Sequence, residues 1–218
     1  MVILAVKVYG AARDGALRSL NGLLENDIGE LAVTYEVGIR RDGFPSVTVE
    51  GEDETVARNI LRERWGEITE SFKAGETYRG TLKSWSTDGF VLDAGRDITI
   101  PADQLGLGQG TPSQIATRFG LVREMPMRFT YDTPPRLAKA EQDRLYDWRR
   151  GPGRVNANEV TRSQLRATIN RAGHADDIVG IDRLGLLEHS VICTDDTDPP
   201  GLLASIGRFL PGQLACVQ

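Results

Sequence analysis

Residues 75–101 read GETYRGTLKSWSTDGFVLDAGRDITIP. Three short β-rich runs, Thr77 to Lys83, Phe90 to Ala94 and Asp97 to Pro101, are divided by Asp88-Gly89 and by Gly95. Glycine supplies the positive-φ backbone that reverses a chain in two residues, so this spacing predicts an antiparallel meander that curls into a small barrel. A glycine-rich loop, Leu105 to Pro112, leads into a short helix around Ser113 to Phe119, and Met127 to Tyr131 is expected as the closing strand. Pro134-Pro135 then opens a helix over Arg136 to Trp148, which ends in the run from Arg149 to Arg154.

Outside this block the pattern changes to alternating strands and helices. Val2 to Val8 reads as a strand, and Ala12, Ala16, Leu17, Leu20, Leu23, Leu24 and Ile28 recur at helical spacing. Val33 to Ile39 alternates, and Asp42-Gly43 turns the chain into Phe44 to Val49. Asp53 is the expected N-cap of a second helix, whose face carries Val56, Ile60, Leu61 and Trp65 and which stops at Gly66. The last 65 residues repeat the pattern without repeating the residues: a strand near Arg154 to Asn158, a helix from Thr161 to Ala172, strands Ile178 to Asp182 and Leu187 to Thr194, a helix after Asp198, and a strand from Gln213 to Val217. Thr161 with Gln164 forms a capping-box signature, Gly173 a helix stop, and Asp198-Pro199 a helix start.

These readings give an α+β chain in four segments: a ferredoxin-like α/β domain over 1–72, a barrel over 73–133, a helical basic linker over 134–153, and a second ferredoxin-like domain over 154–218. Its 218 residues, 40% hydrophobic and 26% charged, suffice for more than one core and exclude a disordered or collagen-like chain. The opening strand is interrupted by Lys7 and no apolar run reaches membrane-spanning length, so neither signal peptide nor membrane partner is expected. Two cysteines in so long a chain point to a reducing, cytoplasmic setting. Cys193 and Cys216 are expected on strands flanking a central one, roughly 9 to 10 Å apart, beyond the reach of a disulfide.

Net charge is −5, yet residues 118–171 carry a net +6 while the rest is acidic. Such a strip suits one phosphate-contacting face on a protein kept soluble elsewhere, and it equally describes a solvated charge run. Arginine outnumbers lysine 22 to 4. The guanidinium fork favours phosphate and base planes, although a bias spread through the chain also follows from genome composition.

Gly75, Gly80, Leu82 and Trp85, followed by Asp88-Gly89-Phe90-Val91-Leu92-Asp93, resemble the S1 branch of the OB fold, an RNA-binding barrel; the histidine and second aromatic of the S1 binding face have no clear counterparts. The arrangement as a whole, with Val160 to Leu165 and Arg171 to Val179, resembles an archaeal protein family of unknown function with a central S1-like region. Asp198 to Ile206 is similar to the strand-to-helix junction of ACT domains, which implies small-metabolite sensing near Gly201.

For RNA, the barrel resemblance singles out Trp85 and Phe90 as stacking rings with Arg79, Lys83 and Arg96 as neighbouring cations, since every base offers a π face and every nucleotide a phosphate. The same rings also serve as barrel filling. Arg149, Arg150 and Arg154 lie in an open glycine-proline turn, and Arg162 and Arg166 are one helical turn apart on the next helix. His174 with Asp176 and Asp177, and the group Asp195, Asp196 and Asp198, lack any metal-site spacing and read as turn and cap residues. No nucleophile motif, phosphate loop or dinucleotide fingerprint is present, so no catalytic residue, cofactor or metal is expected. The expected function is a non-enzymatic RNA-binding protein acting with the ribosome or RNA-processing machinery. The alternatives are an ACT-like metabolite sensor and a docking scaffold that meets a protein partner through its acidic end domains.

Overall fold

The computed structural model describes all of residues 1–218. It is α+β, with six helices and three antiparallel sheets, one of them a curled half-barrel. In the N-terminal unit, β1 (Val2–Ile3), β2 (Val33–Ile39) and β3 (Pro45–Gly51) pair in the order β1-β3-β2 beneath α1 (Arg13–Ile28) and α2 (Glu54–Trp65). The spacing of Ala16, Leu20, Leu24 and Ile28 on α1, and of Ala57, Leu61 and Trp65 on α2, buries one stripe of each helix against Val47 and Val49. The opening strand is shorter than Val2 to Val8 suggests. After Leu4 the chain is still buried but leaves the ladder, because Lys7 and Tyr9 engage the other two units.

The central unit joins β4 (Thr77–Ser86), β5 (Gly89–Asp93), β6 (Asp97–Pro101), β7 (Pro126–Thr130) and β8 (Arg136–Leu137) in the order β6-β5-β4-β7-β8. The end strands β6 and β8 approach with Cα atoms within 8 Å, which curls the sheet around its core. Gly89 makes the tight turn in an orientation with φ 147°, where a Cβ would collide with the Ile100 carbonyl. α3 (Pro112–Arg118) starts at a Thr111–Gln114 capping box and seals one end of the curl. The expected helix from Arg136 begins later, as α4 (Lys139–Arg150), after β8 has closed the sheet. Leu137, Leu145 and Trp148 enter the half-barrel core, so the stretch expected as a linker is mostly an integral wall of the central unit.

The C-terminal unit runs β9 (Arg154–Ala157), α5 (Arg162–Arg171), β10 (Ile178–Arg183), β11 (His189–Cys193), α6 (Pro199–Gly207) and β12 (Leu214–Cys216), with strand order β10-β11-β9-β12. Its helix signals act as the sequence indicates: Thr161 Oγ1 accepts from Gln164 N at 3.2 Å, and Asp198 accepts from Gly201 N at 2.9 Å. Cys193 and Cys216 lie on the two strands flanking β9 and are free thiols. The units are firmly joined. Leu186 and Leu187, in the β10–β11 turn, are fully buried in the N-terminal core, and Asn156 Nδ2 donates to Gly120 O at 2.7 Å. No helix is long and apolar enough to cross a membrane.

Candidate nucleic-acid interface

α2 leaves its last carbonyls without intrahelical partners, as every helix does. Arg79 on β4 reaches across to them: Nη1 donates to Arg64 O at 2.6 Å and Nη2 to Glu63 O at 3.3 Å. This contact sets one wall of a groove of about 560 Å³ between α2 and the half-barrel. Arg62, Lys73, Arg79 and Arg128 line it, against Glu67 and Glu76. Arg62 is paired to Glu67 at 2.7 Å, whereas Lys73 is exposed and only 3.5 Å from Glu76.

Register fixes the groove floor. Arg79 and Arg128 stand directly opposite each other in the β4–β7 ladder. Like charges facing across an antiparallel pair are unfavourable, and burial together with Arg128 holds the Arg79 guanidinium below the usual arginine range. Tyr78 also lines the groove and begins an aromatic array. Its ring meets Phe72 edge-on with centroids 4.9 Å apart, Phe72 stacks on Tyr131 at 5.1 Å, and the Arg96 guanidinium lies 4.6 Å from the Phe72 centroid. These rings are half-buried, so the array offers aromatic edges and a cation beside the basic floor.

Elsewhere the three units share buried and half-buried polar contacts. Lys7 Nζ contacts Asp93 at 2.7 Å and Glu124 at 3.3 Å, and Thr81 donates to Glu124 at 2.8 Å. Tyr9 donates to Glu188 at 2.6 Å and accepts from Glu159 N at 3.3 Å. Complete burial, with a smaller push from Glu124, raises the Glu188 carboxyl to about 8 despite the Tyr9 hydrogen bond. Burial and the neighbouring Arg183 and Arg162 charges hold the His189 imidazole down to about 3. The only non-glycine residues with left-handed backbone, Glu124 at φ 61° and Glu159 at φ 55°, both belong to this junction.

The expected site residues separate. Phe90 is fully buried and cannot stack on a base: alternation along β5 turns it inward with Leu92. Trp85 packs against the half-barrel core and lines a different pocket. Lys83 is exposed but bound to both Asp97 oxygens at 2.9 Å. The turn of Arg149, Arg150 and Arg154 is not an open cation cluster. Arg149 donates to the Gln218 carbonyl at 2.7 Å, Arg150 lies 3.3 Å from Asp147, and Arg154 is tied to Asp182 at 3.0 Å and Ser190 at 3.2 Å. Arg162 donates to Ile181 O at 3.1 Å, and Arg166 is exposed on α5. Only Arg79 lies on the groove, with Arg96 on its aromatic flank.

Arg62, Lys73, Arg128, Phe72, Tyr78 and Tyr131 escape a linear reading because chain reversals bring them together. The one signal available was Arg128, inside the basic block. No group of three or more His, Cys, Asp and Glu side chains is placed to hold a metal ion.

None of the curated proteins matches the chain. Three family descriptions do: the DUF2110 N-terminal domain over residues 1–71, the DUF2110 central domain over 72–149 and the DUF2110 C-terminal domain over 152–218. The central match includes α4, in agreement with its packing in the half-barrel core. The chain therefore belongs to the DUF2110 family through all three of its domains.

Proposed function

We propose that this chain is a non-enzymatic RNA-binding protein that seats an RNA strand in the α2–β4–β7 groove, in association with the ribosome or RNA-processing machinery. The observation that carries this reading is the facing Arg79–Arg128 pair, two like charges side by side on a groove floor that also holds Tyr78, the first ring of the aromatic array. A phosphate between them would turn mutual repulsion into shared attraction, while the aromatic edges beside it meet bases of any identity. The order of the central sheet, whose first strand lies between its second and fourth, supports an OB barrel of S1 type. The C-terminal order, fourth-first-third-second within the unit, favours a ferredoxin-like sheet.

The test is binding of the full chain to total RNA and to purified ribosomal subunits, alongside an Arg62→Gln/Lys73→Gln double variant. Both side chains are surface groups whose loss leaves the core intact. The wild type is expected to bind and the variant to bind more weakly; no binding by the wild type at low salt rejects the reading.

A second reading rests on a different cavity. An apolar pocket of about 570 Å³ lies between the half-barrel and the C-terminal unit, with Trp85, Leu121, Pro200 and Leu203 in its walls. Its position at the start of α6, next to Gly201, suits an ACT-like metabolite site. A thermal-shift screen of free amino acids separates the two: a ligand that binds the folded state raises the midpoint, whereas no response from any amino acid rejects this second reading.

A further inference from the structure

Beyond the groove lies a smaller, more enclosed cavity of about 220 Å³ where all three units meet. Five guanidiniums line it: Arg64 at the end of α2, Arg79, Arg128 and Arg144 from the central unit, and Arg183 from β10. Their acidic partners are few. Glu141, with a side chain only 1% exposed, serves both Arg128 and Arg144, and Asp27 serves Arg64. Arg79 is bound only to backbone carbonyls. Two buried guanidinium nitrogens on lining residues, Arg183 Nη1 and Arg144 Nε, have no protein acceptor at all.

A buried donor without an acceptor is costly, and an unpaired buried charge more so. Five guanidiniums against two carboxylates concentrate positive charge on the same small space, and a compact anion with several acceptor oxygens relieves it. We infer that this cavity is a binding site for a phosphate-class oxyanion, either a free phosphate or pyrophosphate or a phosphate of an RNA strand that continues in from the groove. Guanidinium forks pair with such oxygens bidentately, whereas a single carboxylate would leave most of the donors unmet. The volume is below the range of about 300–1,000 Å³ typical of drug-sized ligands, so the site takes the anionic group and not a whole cofactor. Because the arginines come from three units, the bound anion would also lock their relative arrangement. The inference does not require RNA to occupy the outer groove.

Thermal unfolding of the full chain tests it, in chloride and with pyrophosphate at matched ionic strength, and separately with a short RNA. At ten times the dissociation constant, pyrophosphate should raise the wild-type midpoint by about 3–6 °C. Arg183→Gln removes a guanidinium nitrogen that has no acceptor, so in chloride its midpoint should equal or exceed the wild type's, while its pyrophosphate response is lost. A shift with RNA alone, lost in Arg183→Gln, supports the site with the strand's phosphate as the source. Equal shifts in both proteins overturn the inference, as does the absence of any shift. An RNA shift that Arg62→Gln/Lys73→Gln abolishes and Arg183→Gln retains, without a pyrophosphate effect, overturns the cavity site and leaves the groove reading standing.

Discussion

The two end units have the same plan and differ in one strand. In the C-terminal unit, β12 pairs with the outer edge of β9, completing the order β10-β11-β9-β12. In the N-terminal unit the corresponding edge of β1 receives only residues 66–68: Ile68 N donates to Ile3 O at 2.8 Å, Ala5 N to Gly66 O at 3.3 Å, and Leu4 faces Glu67 in a single bridge. The chain leaves before a full strand forms because it must enter the half-barrel at β4. That truncation leaves a polar groove, in which Gly66 and Glu67 are wall residues. At the other end the completed strand continues to a bridge between Val217 and Phe119, and the seam there is an apolar pocket. One plan thus yields two junctions of opposite chemistry, according to whether the fourth strand is made.

The strongest way to break this comparison is to uncouple the end units. Leu187 comes from the C-terminal unit but is fully buried in the N-terminal core, so Leu187→Ala should cost about 2–5 kcal/mol in urea unfolding. A loss below 1 kcal/mol would mean that the two units do not share a core.

A second, smaller effect comes from the buried acid between the units. Glu188 is raised to about 8 from an ordinary 4.5, so its contribution is full below about pH 4.5 and is lost as pH rises toward 8. His189, lowered to about 3 from 6.5, acts in the opposite sense: its contribution is full above about pH 6.5 and is lost as pH falls toward 3. The two oppose each other between pH 4.5 and 6.5, and Glu188 acts alone from 6.5 to 8. Stability of the wild type should therefore fall across that upper window, by up to about 1.4 kcal/mol per pH unit. Glu188→Gln should flatten the fall, as read from denaturant midpoints at pH 6.5, 7.25 and 8. An equally steep fall in the variant would place the titrating group elsewhere.

The smallest effect sharpens the contrast between the groove and the basic turn. Arg150→Glu changes an exposed side chain whose partner, Asp147, is also exposed. Stability should move by no more than about 0.5 kcal/mol, and RNA affinity should change less than in the Arg62→Gln/Lys73→Gln variant. The reverse ranking would return the interface to the 149–154 turn.

Local signals in the sequence located the elements well, and pairings between distant residues decided the site. The Thr161–Gln164 box, the Asp198 cap and the glycine-divided meander each act over a few residues, and each is found where its residues indicate. Asp53 marks the start of α2 without capping it, because its carboxylate accepts from Ala32 N at 2.9 Å. Phe90 shows that strand position does not tell which face of a curled sheet is inner until the pairing is known. The junction was the least legible region. Lys7 finds Asp93 across 86 residues and Tyr9 finds Glu188 across 179, and no composition or period encodes such partners. The basic strip at 118–171 contained Arg128 and Arg144, but Arg62, Arg64 and Lys73 lie in a stretch whose net charge is negative.

The most direct measurement is the salt dependence of RNA affinity for the wild type and for Arg62→Gln/Lys73→Gln. If the groove carries the strand, log affinity falls linearly with log salt in the wild type, and the slope is reduced by about 1 for each phosphate contact removed, about 2 in the double variant. Equal slopes and equal affinities in the two proteins would contradict the assignment of the α2–β4–β7 groove as the RNA-binding face.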